Sequence, residues 1–142
     1  MQNFFLTEYA FKLYYVQERS DAMFNIVFYQ TKSGREPVKE YLLSLKSKKG
    51  KDGIVRLQRI QHYMKLLRDN GTKLGMPYVK YLTDGIWELR PYKDRILFFT
   101  YDGNDIVFLS QFQKETQKTP KGELEKAIRR MNNHIKRRER NE

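Results

Sequence analysis

The spacing of hydrophobic positions changes along the chain, and the changes predict its elements. Residues 1–22 are aromatic without a clear repeat, and Met23 then opens MFNIVFYQ, which reads as a strand. After the turn TKSGRE, Pro37 suits a first helical position. Val38, Tyr41, Leu42 and Leu45 follow at i, i+3, i+4 and i+7, the stripe of a short amphipathic helix. The basic loop KSKKGKDG leads to a second stripe, Ile54, Leu57, Ile60, Met64 and Leu67, which Asn70-Gly71 stops. The two helices are expected to form a hairpin.

From Tyr78 the period shifts toward two. Strands are predicted near 86–90, 95–101 and 105–112, the last two joined by the turn Asp102-Gly103-Asn104. The 95–101 segment is apolar on both faces, as a central strand is. Thr119 can cap a last helix with Pro120 in its first turn, and Leu124, Ala127, Ile128, Met131 and Ile135 form its apolar stripe. The order strand, helix, helix, three strands, helix implies an α+β domain, an antiparallel-rich twisted sheet with the helices on one face. The domain is expected to span 23–142. Residues 1–22 read as an extension, with Met23 a candidate for the true start.

Charge changes this picture more than composition does. The 142 residues carry a formal net charge of +11 and a pI near 9.8, which suits a polyanionic partner such as nucleic acid or an acidic protein. Residues 1–22 hold two basic side chains and three acidic ones, so the basicity belongs to the domain from Met23 onward. With no cysteine and only His62 and His134, disulfides and thiolate metal sites are excluded and no metal centre or cofactor is expected. Both histidines are expected at the surface. No run is apolar enough to span a bilayer or to serve as a secretory signal, so the expected location is cytoplasmic.

Candidate chemistry gathers where charges interrupt the strands. Alternation along 86–90 puts Trp87 and Leu89 on one face and Ile86, Glu88 and Arg90 on the other, so that Trp87 reads as core. Arg95 opens the next strand beside the Tyr92-Lys93 turn, and Lys114 and Lys118 lie where the sheet gives way to the last helix. Tyr92 is either a base-stacking residue or simply a turn residue.

The stretch YVKYLTDGIWELRPYKDRILFFTYDGNDIVFLSQFQKETQKTP, followed by ELEKAIRRM, resembles the phage-derived, HigB-like branch of the RelE/HigB toxin superfamily. Glu-Leu-Arg, Arg-Ile-Leu-Phe-Phe and Lys-x-Thr-Gln-Lys-Thr-Pro occur in order at the family's spacings, and the likeness runs from Met23 to about Arg138. The resemblance implies the toxin of a type II toxin–antitoxin pair: an endoribonuclease that cuts messenger RNA on the ribosome by metal-independent 2′-OH attack. It also implies a HigA-like helix-turn-helix antitoxin through which operator DNA is bound. Arg95 matches the arginine that opens the third strand in the superfamily, and Lys114 falls where many members keep a second catalytic cation. These two and Glu88 form the implied catalytic set, with Arg90, Lys118, Lys80 and Tyr92 binding RNA. Glu88 stands where better-understood members carry lysine. Its role is either to take the 2′-OH proton or to orient Arg90 or Arg95. The alternative function is a non-catalytic, toxin-like protein that binds nucleic acid or an antitoxin-type regulator.

Overall fold

The computed structural model describes residues 23–47 and 51–141; the proposed extension, 1–22, lies outside the described residues. The elements are β1 (Asn25–Phe28), α1 (Pro37–Leu45), α2 (Asp52–Asn70), a 3-10 turn (Gly71–Leu74), β2 (Val79–Thr83), β3 (Ile86–Leu89), β4 (Asp94–Tyr101), β5 (Asp105–Gln113) and α3 (Lys121–Arg140). The result is an α+β fold consistent with a RelE-like domain. No described helix is long and apolar enough to cross a membrane.

Both hairpin helices form over their predicted stripes. Val38, Leu42 and Leu45 of α1 and Leu57, Ile60, Met64 and Leu67 of α2 are fully or almost fully buried. Gly71 ends α2 for two reasons. Its φ is +68°, and a Cβ there would lie 2.6 Å from the Phe24 ring, so both the backbone and its neighbour require glycine.

The five strands form one sheet in the order β1-β5-β4-β3-β2. β2 to β5 make an antiparallel meander and β1 adds in parallel beside β5. The expected three-strand run is thus a four-strand run. The additional strand, 79–83, opens the stretch of period two but is short and lies at the sheet edge, with Lys80 and Tyr81 exposed and Leu82 breaking the alternation.

The helices do not share one face, which corrects the sequence expectation. α1 and α2 cover the side formed by Leu89, Ile96, Phe98, Ile106 and Phe108. On the other side, the predicted stripe of α3 packs against Ile86, Leu97, Phe99, Val107 and Leu109. The reason lies in β4 and β5. Both are apolar on both faces, and a strand of that kind must be covered twice.

The β4–β5 ladder is irregular at one place. Leu97 pairs with Ser110 but Phe98 pairs with Phe108, so Leu109 is the extra residue of a β-bulge. The carbonyl oxygen of Leu109 accepts a 2.7 Å hydrogen bond from Nη1 of Arg130 in α3. A buried carbonyl in a disrupted part of the ladder is thereby satisfied.

Candidate functional site

Cross-strand register brings the charged candidates to the α3 side of the sheet. Lys80 of β2 lies directly opposite Glu88 of β3, which lies opposite Leu97 of β4. Two residues along β4 from Leu97, Arg95 falls on the same side and pairs with Phe112 of β5. Phe112 packs in the α3-side cluster, and Lys114, two residues further, follows it onto that side while its N–H bonds the Lys93 carbonyl at 2.7 Å. Strict alternation from Leu109 would send Phe112 and Lys114 to the hairpin side. The bulge resets the alternation.

Glu88 is the centre of the cluster, only 5% exposed. Its Oε1 lies 3.4 Å from Nε of Arg90 and 3.8 Å from Nε of Arg95, and its Oε2 accepts a 3.0 Å hydrogen bond from the Thr119 hydroxyl. Two arginines of neighbouring strands would repel one another, and the carboxylate set against both offsets this. Thr119 therefore does not cap α3, as its position predicted. Pro120 occupies that place without a side-chain cap, and the Thr119 hydroxyl is spent on tying the 114–120 segment to β3.

Arg95 is 6% exposed, and its Nη1 donates to the carbonyls of Tyr92 at 2.6 Å and Asp94 at 2.9 Å. Burial draws its pKa below the usual guanidinium value while Glu88 opposes the shift. The expected place beside the Tyr92-Lys93 turn is correct, but the guanidinium is enclosed there. Arg90 is half-buried, with Nη1 3.4 Å from the Met76 sulfur. Lys114 is half-buried, while Lys80 and Lys118 are exposed, and the Lys118 carbonyl accepts from the Thr116 hydroxyl at 3.0 Å. Tyr92, 61% exposed with φ +59°, carries the Arg59 guanidinium 3.9 Å from its ring centroid. Trp87 lies on the hairpin side, stacked 6.5 Å from Phe98, which is the core role expected of it.

A second carboxylate cluster escaped the sequence reading. Asp94, 3% exposed, accepts from the Tyr41 hydroxyl at 2.6 Å and from Arg56 through Nη2 at 2.8 Å and Nε at 3.1 Å; Arg56 Nη2 also contacts the Tyr41 hydroxyl. Burial first, and Asp94 second, push the Tyr41 phenol well above its ordinary value, and the Asp94 hydrogen bond raises Arg56. The cluster fastens α1 and α2 to the start of β4. Its one sequence signal is Tyr41 within an apolar stripe, since a buried tyrosine usually finds a partner for its hydroxyl.

The two histidines divide. His62 is exposed as expected, but His134 is 9% exposed, edge-on to Phe99 at 5.9 Å and Tyr101 at 5.7 Å. The expectation of a solvated residue fails because the sheet side of α3 extends into its basic tail.

A family model described as "Phage derived protein Gp49-like (DUF891)" matches residues 40–132, well over half of the chain and a stretch that contains Lys80, Glu88, Arg90, Tyr92, Arg95, Lys114 and Lys118. No curated protein gives a significant match.

Proposed function

Because the chain belongs to the phage-derived Gp49-like family, a RelE- and toxin-like family, we propose that it is the toxin of a type II toxin–antitoxin pair in the HigB-like branch, acting as a ribosome-dependent endoribonuclease on messenger RNA. A toxin-like family implies an antitoxin in general. The partner proposed here is a small helix-turn-helix protein that also binds operator DNA.

The observation that carries this reading is the pair Arg90 and Arg95 held on one sheet face around the Glu88 carboxylate, with Lys80 opposite Glu88 in the register and Lys114 just past the end of β5. Attack of a ribose 2′-oxygen on the adjacent phosphorus builds negative charge on the phosphoryl oxygens, and fixed cations in a partly dehydrated site stabilise it. Lys114 and Arg90 supply charge from the accessible side and Arg95 from beneath, through the Nη2 edge not used by the Tyr92 and Asp94 carbonyls. Lys80 and Lys118 hold the flanking backbone. Glu88, engaged by Arg90, Arg95 and Thr119, acts as the positioning residue that keeps the two guanidiniums in place. Without a free acid–base pair among the described residues of this face, much of the rate comes from in-line positioning of the messenger, which the ribosome supplies.

The test is a translation extract with the purified protein, in which messenger ends are mapped by reverse transcription. New ends within translated codons are expected, appearing only on ribosome-bound messages, and Lys114→Ala should abolish them. Intact messages and undiminished protein synthesis would remove the toxin reading.

A further inference from the structure

We propose that the cleft between α2 and the β3–β4 turn is a nucleobase-binding subsite, which takes a base flanking the scissile phosphate of a single-stranded RNA. The proposal rests on the ribonuclease reading for the identity of the strand.

The cleft has a volume of about 490 Å³, within the range of small-molecule sites. Arg59, His62 and Tyr63 fall at i, i+3 and i+4 on one face of α2, and Tyr78 and Tyr92 close the opposite wall. The aromatic groups are arranged as a series of edges and faces. Tyr63 meets Tyr78 edge-on at 5.3 Å, His62 meets Tyr63 at 6.2 Å, and Arg59 covers one face of Tyr92. Tyr92 remains 61% exposed, so its other face is offered to solvent. A tyrosine already held by a guanidinium loses little freedom when a base stacks on it.

Among the described residues, no acidic side chain lines this cleft. That composition disfavours a cationic ligand and suits an anionic strand whose bases present π-faces. It also adjoins the cationic cluster. The Tyr92 carbonyl accepts the 2.6 Å hydrogen bond from Arg95, so one turn forms the wall of both sites. A phosphate held near Arg90 and Lys114 would therefore carry its neighbouring base to Tyr92. The hairpin side supplies the bases' contacts and the α3 side the backbone's.

The probe is a short 2′-O-methyl RNA with 2-aminopurine between pyrimidines. It cannot be cleaved at a 2′-hydroxyl, and its fluorescence falls when the base stacks. The wild-type protein should quench it. Tyr92→Asn, which tolerates the left-handed backbone of that turn, and the double variant Tyr92→Asn/His62→Ala should lose most of the quenching and bind about tenfold more weakly. Their dependence of affinity on salt should be unchanged, because no phosphate contact is lost. Lys114→Ala should do the reverse, keeping the quenching while the log–log salt slope falls by about one. An unquenched wild type, or full quenching by the double variant, overturns the subsite. If the same substitutions loosen an antitoxin complex while RNA quenching persists, the cleft is a protein-docking surface and the proposal fails. Quenching by a wild type that leaves messages uncut in the translation extract would sink the ribonuclease reading and leave base binding standing.

Discussion

Asp94 and Glu88 are two nearly buried carboxylates on neighbouring strands, and they hold their cations in different ways. Asp94 receives Arg56 through two hydrogen bonds and Tyr41 through a third, all between 2.6 and 3.1 Å. Around it, the charge is matched and the polar atoms are used. Glu88 meets two arginines at 3.4 and 3.8 Å and one threonine at 3.0 Å, with Lys80 opposite it and Lys114 on the same side. Its surroundings carry more positive charge than one carboxylate can neutralise. A closed cluster of the first kind fastens elements together. One of the second kind has attraction left over for an outside anion, and the excess cations, more than the carboxylate, single it out as the candidate site.

Removing the carboxylate of the first cluster and an excess cation of the second tests that distinction most severely. Asp94→Ala should cost about 3–5 kcal/mol of stability, because it leaves the mostly buried Arg56 with only the exposed Asp52 as its carboxylate partner and takes the acceptor from the Tyr41 hydroxyl. The measurement is the urea midpoint at constant slope. A loss below about 1 kcal/mol would mean that the cluster fastens nothing. Lys114→Ala should act in the opposite sense, slowing messenger cleavage by on the order of a hundredfold or more while stability moves by less than about 0.5 kcal/mol. Equal losses of fold and activity in the two variants would erase the comparison.

Glu88→Gln sharpens it further. A glutamine can still accept from Thr119 but no longer neutralises the arginines, so cleavage should slow by about tenfold with the acid limb of the pH–rate profile retained. Disappearance of that limb would make Glu88 the proton acceptor and reverse its assigned role. The antitoxin offers a test from outside. Net charge complementarity favours direct cover of Arg90, Arg95 and Lys114, so hydrogen exchange on the complex should slow across residues 86–118. Protection confined to residues 37–70 would instead indicate steric exclusion from the ribosome.

The smallest expected effect concerns His134. Burial, then Arg138 and Arg137, hold its pKa below the ordinary value, with Asp105 opposing. Tyr101 and Phe99 face it from β4 and carry no charge. The folded state thus binds a proton less readily than the unfolded one. Its contribution is present above the unfolded histidine value of about 6.5 and is lost as pH falls below it. Stability of the wild type should decline more steeply than that of His134→Gln between about pH 7 and 5.5. Parallel curves would assign the acid sensitivity to carboxylates instead.

Much of this molecule was legible because single elements obey simple periods. The stripes of α1, α2 and α3 are the buried ones, and alternation sorted Trp87 and Leu89 from Glu88 and Arg90 correctly. What escaped depends on two elements at once. The two-sided cover follows from Leu97 and Phe99 facing away from Phe98, a fact visible in β4 but decisive only once another helix is available to pack there. Thr119 looks like a helix cap until Glu88 is brought beside it, because both uses need only a hydroxyl at the right place. His134 reads as solvated in a tail rich in arginine and lysine until α3 lies along Phe99. The family's signature residues were readable at once, whereas the enclosure of Arg95 by the Tyr92 and Asp94 carbonyls was not.

The bulge at Leu109 behaves like a reading-frame shift written into the sheet. Every residue after it on β5 is decoded onto the opposite side from the one that two-residue counting assigns, which is how Lys114 joins Arg95. Deleting Leu109 would remove both the surplus residue and the shift, leaving Ser110 to Lys114 paired and facing as they are, because Leu97 already pairs with Ser110 and Phe98 with Phe108. The bulge is thus the device by which the strand absorbs one surplus residue without turning its downstream run over.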